Sequence, residues 1–127
     1  MTHILLIEGD EAARTLLANN LRNLMYFTET AATSRALNAL LVHDKNPYHA
    51  ILVPCHLGLL HGPHLIAAIR KVRGFATTPL IGGATNPEIW KDLRDQHHFY
   101  RADKELIGTQ WYWPPYLVLA QLQQLGL

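Results

Sequence analysis

The sequence has little cysteine, no charged run and no long apolar run, and each of these absences excludes a class of protein. The one cysteine, Cys55, cannot form an intrachain disulfide, which suits a reducing cytoplasm. The net charge is +1 and the Lys and Arg residues are scattered, so no strong field attracts nucleic acid or an acidic membrane. No apolar run approaches the roughly 20 residues that span a bilayer. The N-terminus also lacks a signal-peptide pattern. We therefore expect a cytoplasmic protein with neither nucleic acid nor membrane as partner.

The residues that are present indicate one folded domain. Apolar residues make up 49% and charged residues 17% of 127 positions, a composition typical of globular proteins. A chain of this length fits one hydrophobic core, so we predict a single domain over residues 1–127. Histidine is unusually frequent, at eight residues.

Short apolar segments alternate with segments of helical periodicity. Apolar or β-prone runs predict strands at residues 4–7, 25–30, 50–53, 78–81 and 99–102. Helical spacing, with Asp10 as a cap and prolines in first turns, predicts helices at residues 11 to about 24, 33 or 34 to 41, 62–72, from 86 onwards and 114–125. Residues 104–113 are predicted to be irregular and aromatic. Five strands alternating with five helices indicate an α/β fold, a parallel sheet covered on both faces.

The central strand at residues 50–53 ends where ligands usually bind in an open α/β sheet, at the carboxyl end of the strand. Pro54, Cys55 and His56 occupy this position, and none of them carries a carboxylate. Gly82 and Gly83 follow the next strand, and they are expected to let the chain pass close to this edge of the sheet.

Three segments carry a resemblance to a known family: ILLIEGDEA at residue 4, YHAILVPCHLGLLHG at residue 48 and TPLIGGATNPE at residue 78. With the element order, they resemble the receiver domain of two-component response regulators (CheY-like) over essentially the whole chain. The resemblance implies a flavodoxin-like three-layer α/β/α sandwich with five helices. Its five-stranded parallel sheet has the order 2-1-3-4-5.

Receivers of this family use a set of polar residues at the sheet edge. Two acidic residues after the first strand hold Mg²⁺, and an Asp at the end of the third strand accepts the phosphoryl group. A Ser or Thr ends the fourth strand and a Lys ends the fifth. Mg²⁺ and Lys neutralise the phosphoryl oxygens while the Asp attacks phosphorus.

Most of this set is replaced here. The resemblance places Glu8 and Gly9 at the acidic pair, Pro54 at the phosphoacceptor, Ala84 at the hydroxyl and Lys104 at the lysine. Proline has no nucleophilic side chain, so aspartyl phosphorylation at this position is chemically excluded. The sequence is therefore similar to a degenerate receiver, or pseudo-receiver, with no catalytic residue, no metal and no cofactor.

One assignment in this set has an alternative. Trp113-Pro114 can replace Lys104 in the lysine-proline position, and the lysine would then be lost as well. We favour Lys104 because it leaves the fifth strand at an ordinary position.

Two metal sites are conceivable, and a structural interpretation is preferred for each. Acidic side chains after the first strand could hold a weak cation, but a helix cap and solvated charges explain Glu8, Asp10 and Glu11 as well. The loop after the central strand could bind Zn²⁺ through thiolate and imidazole groups. Its candidate ligands are Cys55, His56, His61 and His64. We expect a buried, inert thiol and exposed histidines instead.

An aromatic cluster near the C-terminus is the main candidate for an interaction surface. In receivers, the face formed by the fourth helix, the fifth strand and the fifth helix is the usual output and dimer surface, and large aromatic residues are favoured there. The candidates are Trp90, Tyr100, Trp111, Tyr112, Trp113 and Tyr116. The alternative is that these side chains fold back and belong to the core.

The leading hypothesis is a pseudo-receiver in two-component-type signalling that is not an enzyme. It would act without phosphorylation by binding a protein partner or a second copy of itself. One alternative is a flavodoxin-like domain that binds a small molecule or nucleotide, although the loop after Ile7 lacks the donors of a phosphate cradle. The other alternative is a purely structural dimerisation module.

Overall fold

The centre of the protein is a five-stranded parallel sheet, seen in a computed structural model that describes residues 1–54, 62–83, 91, 94–95 and 98–127. The strand order is β2-β1-β3-β4-β5, which confirms the predicted order. The strands are β1 (His3–Ile7), β2 (Phe27–Ala31), β3 (Ala50–Val53), β4 (Leu80–Gly82) and β5 (Phe99–Arg101).

Four α-helices lie in the described part of the chain, where the sequence predicted five. They are α1 (Glu11–Asn23), α2 (Ala36–Leu41), α3 (Gly62–Lys71) and α4 (Pro115–Gln124), and a 3₁₀ turn (Thr33–Arg35) precedes α2. The helix predicted from Asn86 onwards falls largely outside the described residues, although Lys91, Arg94 and Asp95 have helical backbone. None of the helices described is long and apolar enough to cross a bilayer.

The first helix forms because its N-terminus is capped as the sequence predicts. The Asp10 carboxylate accepts a hydrogen bond of 2.7 Å from the Ala13 amide, and Glu11 lies in the first turn, where the helix dipole favours negative charge. The helix ends before Leu24, and Met25 then adopts a left-handed conformation, with φ of 69°. Because of that turn, β2 begins at Phe27 and not at residue 25, where the sequence predicted its start.

Both faces of the sheet are buried, which gives the three-layer architecture. Ile4 and Leu6 belong to a core formed with α1 and α4, whereas Leu5 and Ile7 belong to a second core formed with α2 and α3. All four side chains are at most 1% exposed. Successive side chains of a strand point alternately into the two cores, so a strand of this sheet has to be apolar at every position.

The outer edge of β2 is covered by a charged side chain. The Phe27 amide donates to the Thr2 carbonyl, toward β1, so the neighbouring residue Thr28 presents its carbonyl away from the sheet. The Arg22 guanidinium donates two hydrogen bonds to that carbonyl, at 2.8 and 3.2 Å. An otherwise unpaired acceptor on an edge strand is therefore satisfied within the chain.

A β-hairpin occupies the segment that the sequence predicted to be irregular, so this part of the prediction is wrong. Strands β6 (Glu105–Ile107) and β7 (Gln110–Tyr112) pair antiparallel and form a sheet of their own. Gly108 has φ of 65° at the first position of the two-residue turn. Glycine is favoured at that position of a type II′ hairpin turn. Below, the hairpin denotes residues 105–112.

Gly82 ends β4 at a point where β3 passes too close for a side chain. A Cβ atom at this position would overlap with the Val53 carbonyl oxygen and would lie 3.3 Å from the Phe99 ring. Because that oxygen is backbone, it cannot rotate away.

We therefore expect Gly82→Ala to destabilise the fold by about 2–3 kcal/mol, toward the upper end of overpacking costs. Urea unfolding followed by circular dichroism measures this. Gly83→Ala is the matched control, since the nearest atoms to its Cβ would be at 3.2 and 3.3 Å and one belongs to the Asp103 side chain, which can move. Equal losses in the two variants would contradict the steric explanation.

Candidate functional site

The carboxyl ends of the central strands meet at one edge of the sheet. Leu6 is paired with Leu52, and Val53 is paired with Gly82, so Glu8, Pro54 and Gly83 follow their strands at nearly the same level. Pro54 is buried there. This is the edge at which the sequence placed its candidate pocket.

Glu8 and Lys104 form a buried ion pair at this edge. The Glu8 side chain is fully buried and the Lys104 side chain is 2% exposed, and Lys104 Nζ contacts Glu8 Oε1. Trp113 Nε1 donates to the same oxygen at 3.0 Å. The Asp10 amide donates to Glu8 Oε2 at 3.1 Å. We call Glu8, Lys104 and Trp113 the Glu8 cluster.

The cluster compensates the Glu8 charge that it buries, whereas Lys104 Nζ has no hydrogen-bond partner in the described part of the chain apart from its contact with Glu8. An isolated carboxylate in a protein core costs several kcal/mol, and it is tolerated only when a cation and further donors compensate the lost hydration. Lys104 supplies the cation, and the indole and amide donors supply the hydrogen bonds. Lys104 Nζ also lies 5.5 Å from the centre of the Trp113 ring, a favourable cation–π distance.

The loop after β1 is held in place around Glu8. Arg14 Nη1 donates to the Glu8 carbonyl at 2.9 Å. At Gly9, a Cβ atom would lie 3.2 Å from Thr33 Oγ1, so a larger side chain there would have to displace Thr33. Asp10 caps α1, and Glu11 is exposed.

The described groups at this edge, Pro54 and Glu8, differ from the acidic set that the resemblance gives for a receiver. The ring of Pro54 offers no nucleophile, and both oxygens of Glu8 already accept hydrogen bonds. Over the ranges that the structure describes, no three His, Cys, Asp or Glu side chains are close enough to hold a metal ion.

The structure brings together some of the predicted site residues and leaves others undescribed. Glu8, Gly9, Pro54 and Lys104 lie at the same edge of the sheet. Ala84 and Trp90 lie outside the described residues, as do Cys55, His56 and His61 of the histidine-rich loop. His64, on α3, is exposed.

The predicted aromatic surface divides into buried and exposed members. Trp113 is 3% exposed and packs in the core with Val118 and Leu122, which is the alternative that the sequence left open for the aromatic candidates. Its indole N–H needs a partner when the ring is buried, and Glu8 provides one. Tyr100 is partly buried against the same core.

The remaining aromatic residues lie at the surface, with two aliphatic residues that the sequence analysis missed. Trp111 is 42% and Tyr116 63% exposed, and Tyr112 is partly exposed. Leu106 and Ile107 are exposed by 54% and 61%. The β-prone residues on either side of Gly108-Thr109 were the available signal for this hairpin.

Tyr116 contacts the hairpin through a polar group. Its hydroxyl donates a hydrogen bond to the Glu105 carboxylate. That hydrogen bond, with smaller effects of burial and of the Glu105 charge, raises the pKa of the Tyr116 phenol above its ordinary value. The Glu105–Tyr116 pair therefore connects the start of β6 with the first turn of α4.

The two residues that the sequence left as alternatives for the lysine position of the family belong to the same cluster. Lys104 and Trp113 were alternatives for the lysine position of the family, and the structure places both side chains on the same carboxylate. The Trp113–Glu8 contact spans 105 residues. No local pattern reports such a contact.

Comparison with known proteins identifies the fold. The sequence matches no family model, and no curated protein matches it. Among solved structures, the Vibrio cholerae chemotaxis protein CheY4 superposes with a TM-score of 0.77 at 20% identity, over 98% of each chain. A CheY-like response regulator receiver domain from Methylobacillus flagellatus has a TM-score of 0.77 at 17% identity, also over 98% of each chain.

A third structure, the receiver domain of an HD domain-containing protein from Pseudomonas fluorescens Pf-5, has a TM-score of 0.71 at 23% identity. The match covers 97% of this chain and 92% of that one. The protein therefore has the fold of CheY-like receiver domains of two-component signalling. At these identities the likeness establishes the fold.

We expect Lys104→Met to destabilise the protein by about 3–5 kcal/mol, because it leaves the buried Glu8 carboxylate without a cation. Urea unfolding of the single variant and of the Glu8→Gln, Lys104→Met double variant measures the effect. The double variant should recover most of the loss, since it removes both charges while keeping similar side-chain volumes. A loss below about 1 kcal/mol for Lys104→Met, the range of exposed ion pairs, would show that the pair is not buried in solution.

Proposed function

We propose that the protein is a phosphorylation-independent signalling domain, a pseudo-receiver that acts by binding another protein. The observation that carries the proposal is the Glu8 cluster beside Pro54. Glu8 stands at the position of a receiver's metal ligand, and here its carboxylate is engaged by Lys104, Trp113 and the Asp10 amide. With proline at the phosphoacceptor position, the input chemistry of a receiver is lost while the fold remains.

The docking surface that we propose is the hairpin with the first turn of α4. Leu106 and Trp111 are paired across the two strands, so they lie on one face of the hairpin. Both are exposed, and Tyr116 adds a further exposed ring. Aromatic and aliphatic side chains of this kind are the usual anchors of protein interfaces.

The partner in this proposal is a cytoplasmic signalling protein or a second copy of the chain, and the protein is not an enzyme. The second candidate, a dimerisation module, is supported by the same exposed residues. Binding of a small molecule at the sheet edge is less well supported, because Trp113 and Pro54 are buried at the position that such a ligand would need.

We expect no phosphorylation of the wild-type protein. Incubation with acetyl phosphate and Mg²⁺ should produce no mass gain, because Pro54 has no nucleophile. Beryllofluoride with Mg²⁺ should leave the tryptophan fluorescence unchanged, because Trp113 would stay bound to Glu8. Intact-mass spectrometry and emission spectra measure these outcomes, with a phosphorylatable receiver domain as the positive control. A stoichiometric aspartyl phosphate would contradict the proposal.

The Pro54→Asp variant is the matched test of the cluster. It restores a carboxylate at the acceptor position but leaves Gly9 and the engaged Glu8 as they are. We expect it to remain unmodified under the same conditions. Phosphorylation of this variant would mean that Glu8 can leave Lys104 and Trp113 and bind Mg²⁺.

Light scattering distinguishes the two kinds of partner. A mass that is twice the 14.4 kDa of the chain in the wild type, and that falls to 14.4 kDa in a Leu106→Ala, Trp111→Ala variant, indicates a second copy on the hairpin. Phe27→Ala is the control, since Phe27 is similarly exposed but lies on β2. A monomeric wild type directs the search to a different protein as partner.

A further inference from the structure

The two residues that bind Glu8 stand at the two ends of the hairpin. Lys104 immediately precedes Glu105, the first residue of β6, and Trp113 immediately follows Tyr112, the last residue of β7. Both side chains contact the same atom, Glu8 Oε1. One carboxylate at the end of β1 therefore ties both ends of an eight-residue segment to the core.

The hairpin depends on such an anchor because it has little stability of its own. It consists of two three-residue strands in a sheet separate from the main one, and isolated two-stranded hairpins are marginal in water. All three residues of β6 are exposed. The Tyr116–Glu105 hydrogen bond is also exposed, and water competes for its donor and acceptor.

We propose that Glu8 is a positioning residue for the hairpin: its carboxylate, through Lys104 and Trp113, holds the face of Leu106 and Trp111 in a docking-competent position. The inference rests on the proposed function for the role of that face, but the anchoring itself does not depend on any partner. The position that holds metal in a receiver has thus become the attachment point of an interaction element.

Coupling of this kind acts in both directions. If Glu8 orders the hairpin, then a partner that binds the ordered hairpin stabilises the Glu8 cluster by the same free energy. Loss of the cluster lowers the fraction of binding-competent molecules, so the apparent affinity for any partner falls by that fraction.

Hydrogen–deuterium exchange on the full chain tests the anchoring directly. The amides of Ile107 and Gln110, which pair next to the turn, report opening of the hairpin, and those of Ile51 and Leu52 in β3 report global unfolding. Trp113→Phe keeps a ring in the core but removes the donor to Glu8. We expect hairpin exchange to accelerate relative to β3 on the order of ten-fold, the effect of losing one hydrogen bond to a charged group.

Tyr116→Phe is the matched control, because it also removes a single aromatic N–H or O–H donor to a carboxylate while keeping the ring. Little change in hairpin exchange is expected in this variant, because water replaces the lost hydrogen bond to the exposed Glu105 carboxylate. Should Trp113→Phe fail to fold, the Glu8→Gln, Lys104→Met double variant provides a second test, because it removes the ion pair from the anchor without leaving a buried charge unpaired, and hairpin exchange should again accelerate relative to β3.

Three results would overturn the inference: a wild-type hairpin without protection, hairpin exchange that changes only in step with β3, or equal acceleration in Tyr116→Phe. Each is independent of the acetyl phosphate experiment. A phosphorylated wild type with a hairpin that stays anchored would remove the proposed function and leave the positioning role of Glu8 intact.

Discussion

A single buried negative charge organises one end of this protein. Glu8 lies at the tip of the first strand, fully removed from water, and a carboxylate in that position is stable only when a cation and hydrogen-bond donors surround it. The chain supplies them from three places: Lys104 beyond the last strand of the sheet, Trp113 before the last helix, and the Asp10 amide at the start of the first helix. Because these groups come from both terminal parts of the chain, their contacts with the Glu8 carboxylate hold the first strand and the C-terminal part of the fold together.

The Glu8 cluster and the fold of the sheet depend on different residues. A fold and the site placed on it are separable, because sheet and helix packing depend on apolar residues that the reaction does not use. Here apolar residues form a core on each face of the sheet, and Glu8 is bound to side chains at its edge. The Glu8 charge is compensated within the chain.

The sheet was predictable from the sequence because its information is local. Runs such as Ile4 to Ile7 are apolar at every position, as a strand buried on both faces requires, and the observed strand order agrees with the order implied by the resemblance. The Asp10 cap is local as well. The hairpin was missed because its strands have only three residues each, and aromatic composition obscured the turn at Gly108-Thr109.

The site was only partly predictable because its contacts are long-range. The resemblance placed Glu8, Pro54 and Lys104 in one site, and parallel strands bring their carboxyl ends to the same edge of the sheet. Trp113 was left open between the surface and the core because a large aromatic residue suits an interface and a core equally well. Only the folded structure reveals that its N–H meets a buried carboxylate 105 residues away.

The hydrogen bonds from Arg22 to the Thr28 carbonyl have a consequence for the behaviour of the protein at high concentration. An edge strand with free carbonyls is a template on which another chain can add, and this is a common route to aggregation. With the guanidinium bound there, an approaching strand meets a positive charge in place of an acceptor. At Thr28 the edge of β2 is thereby less able to pair with another chain.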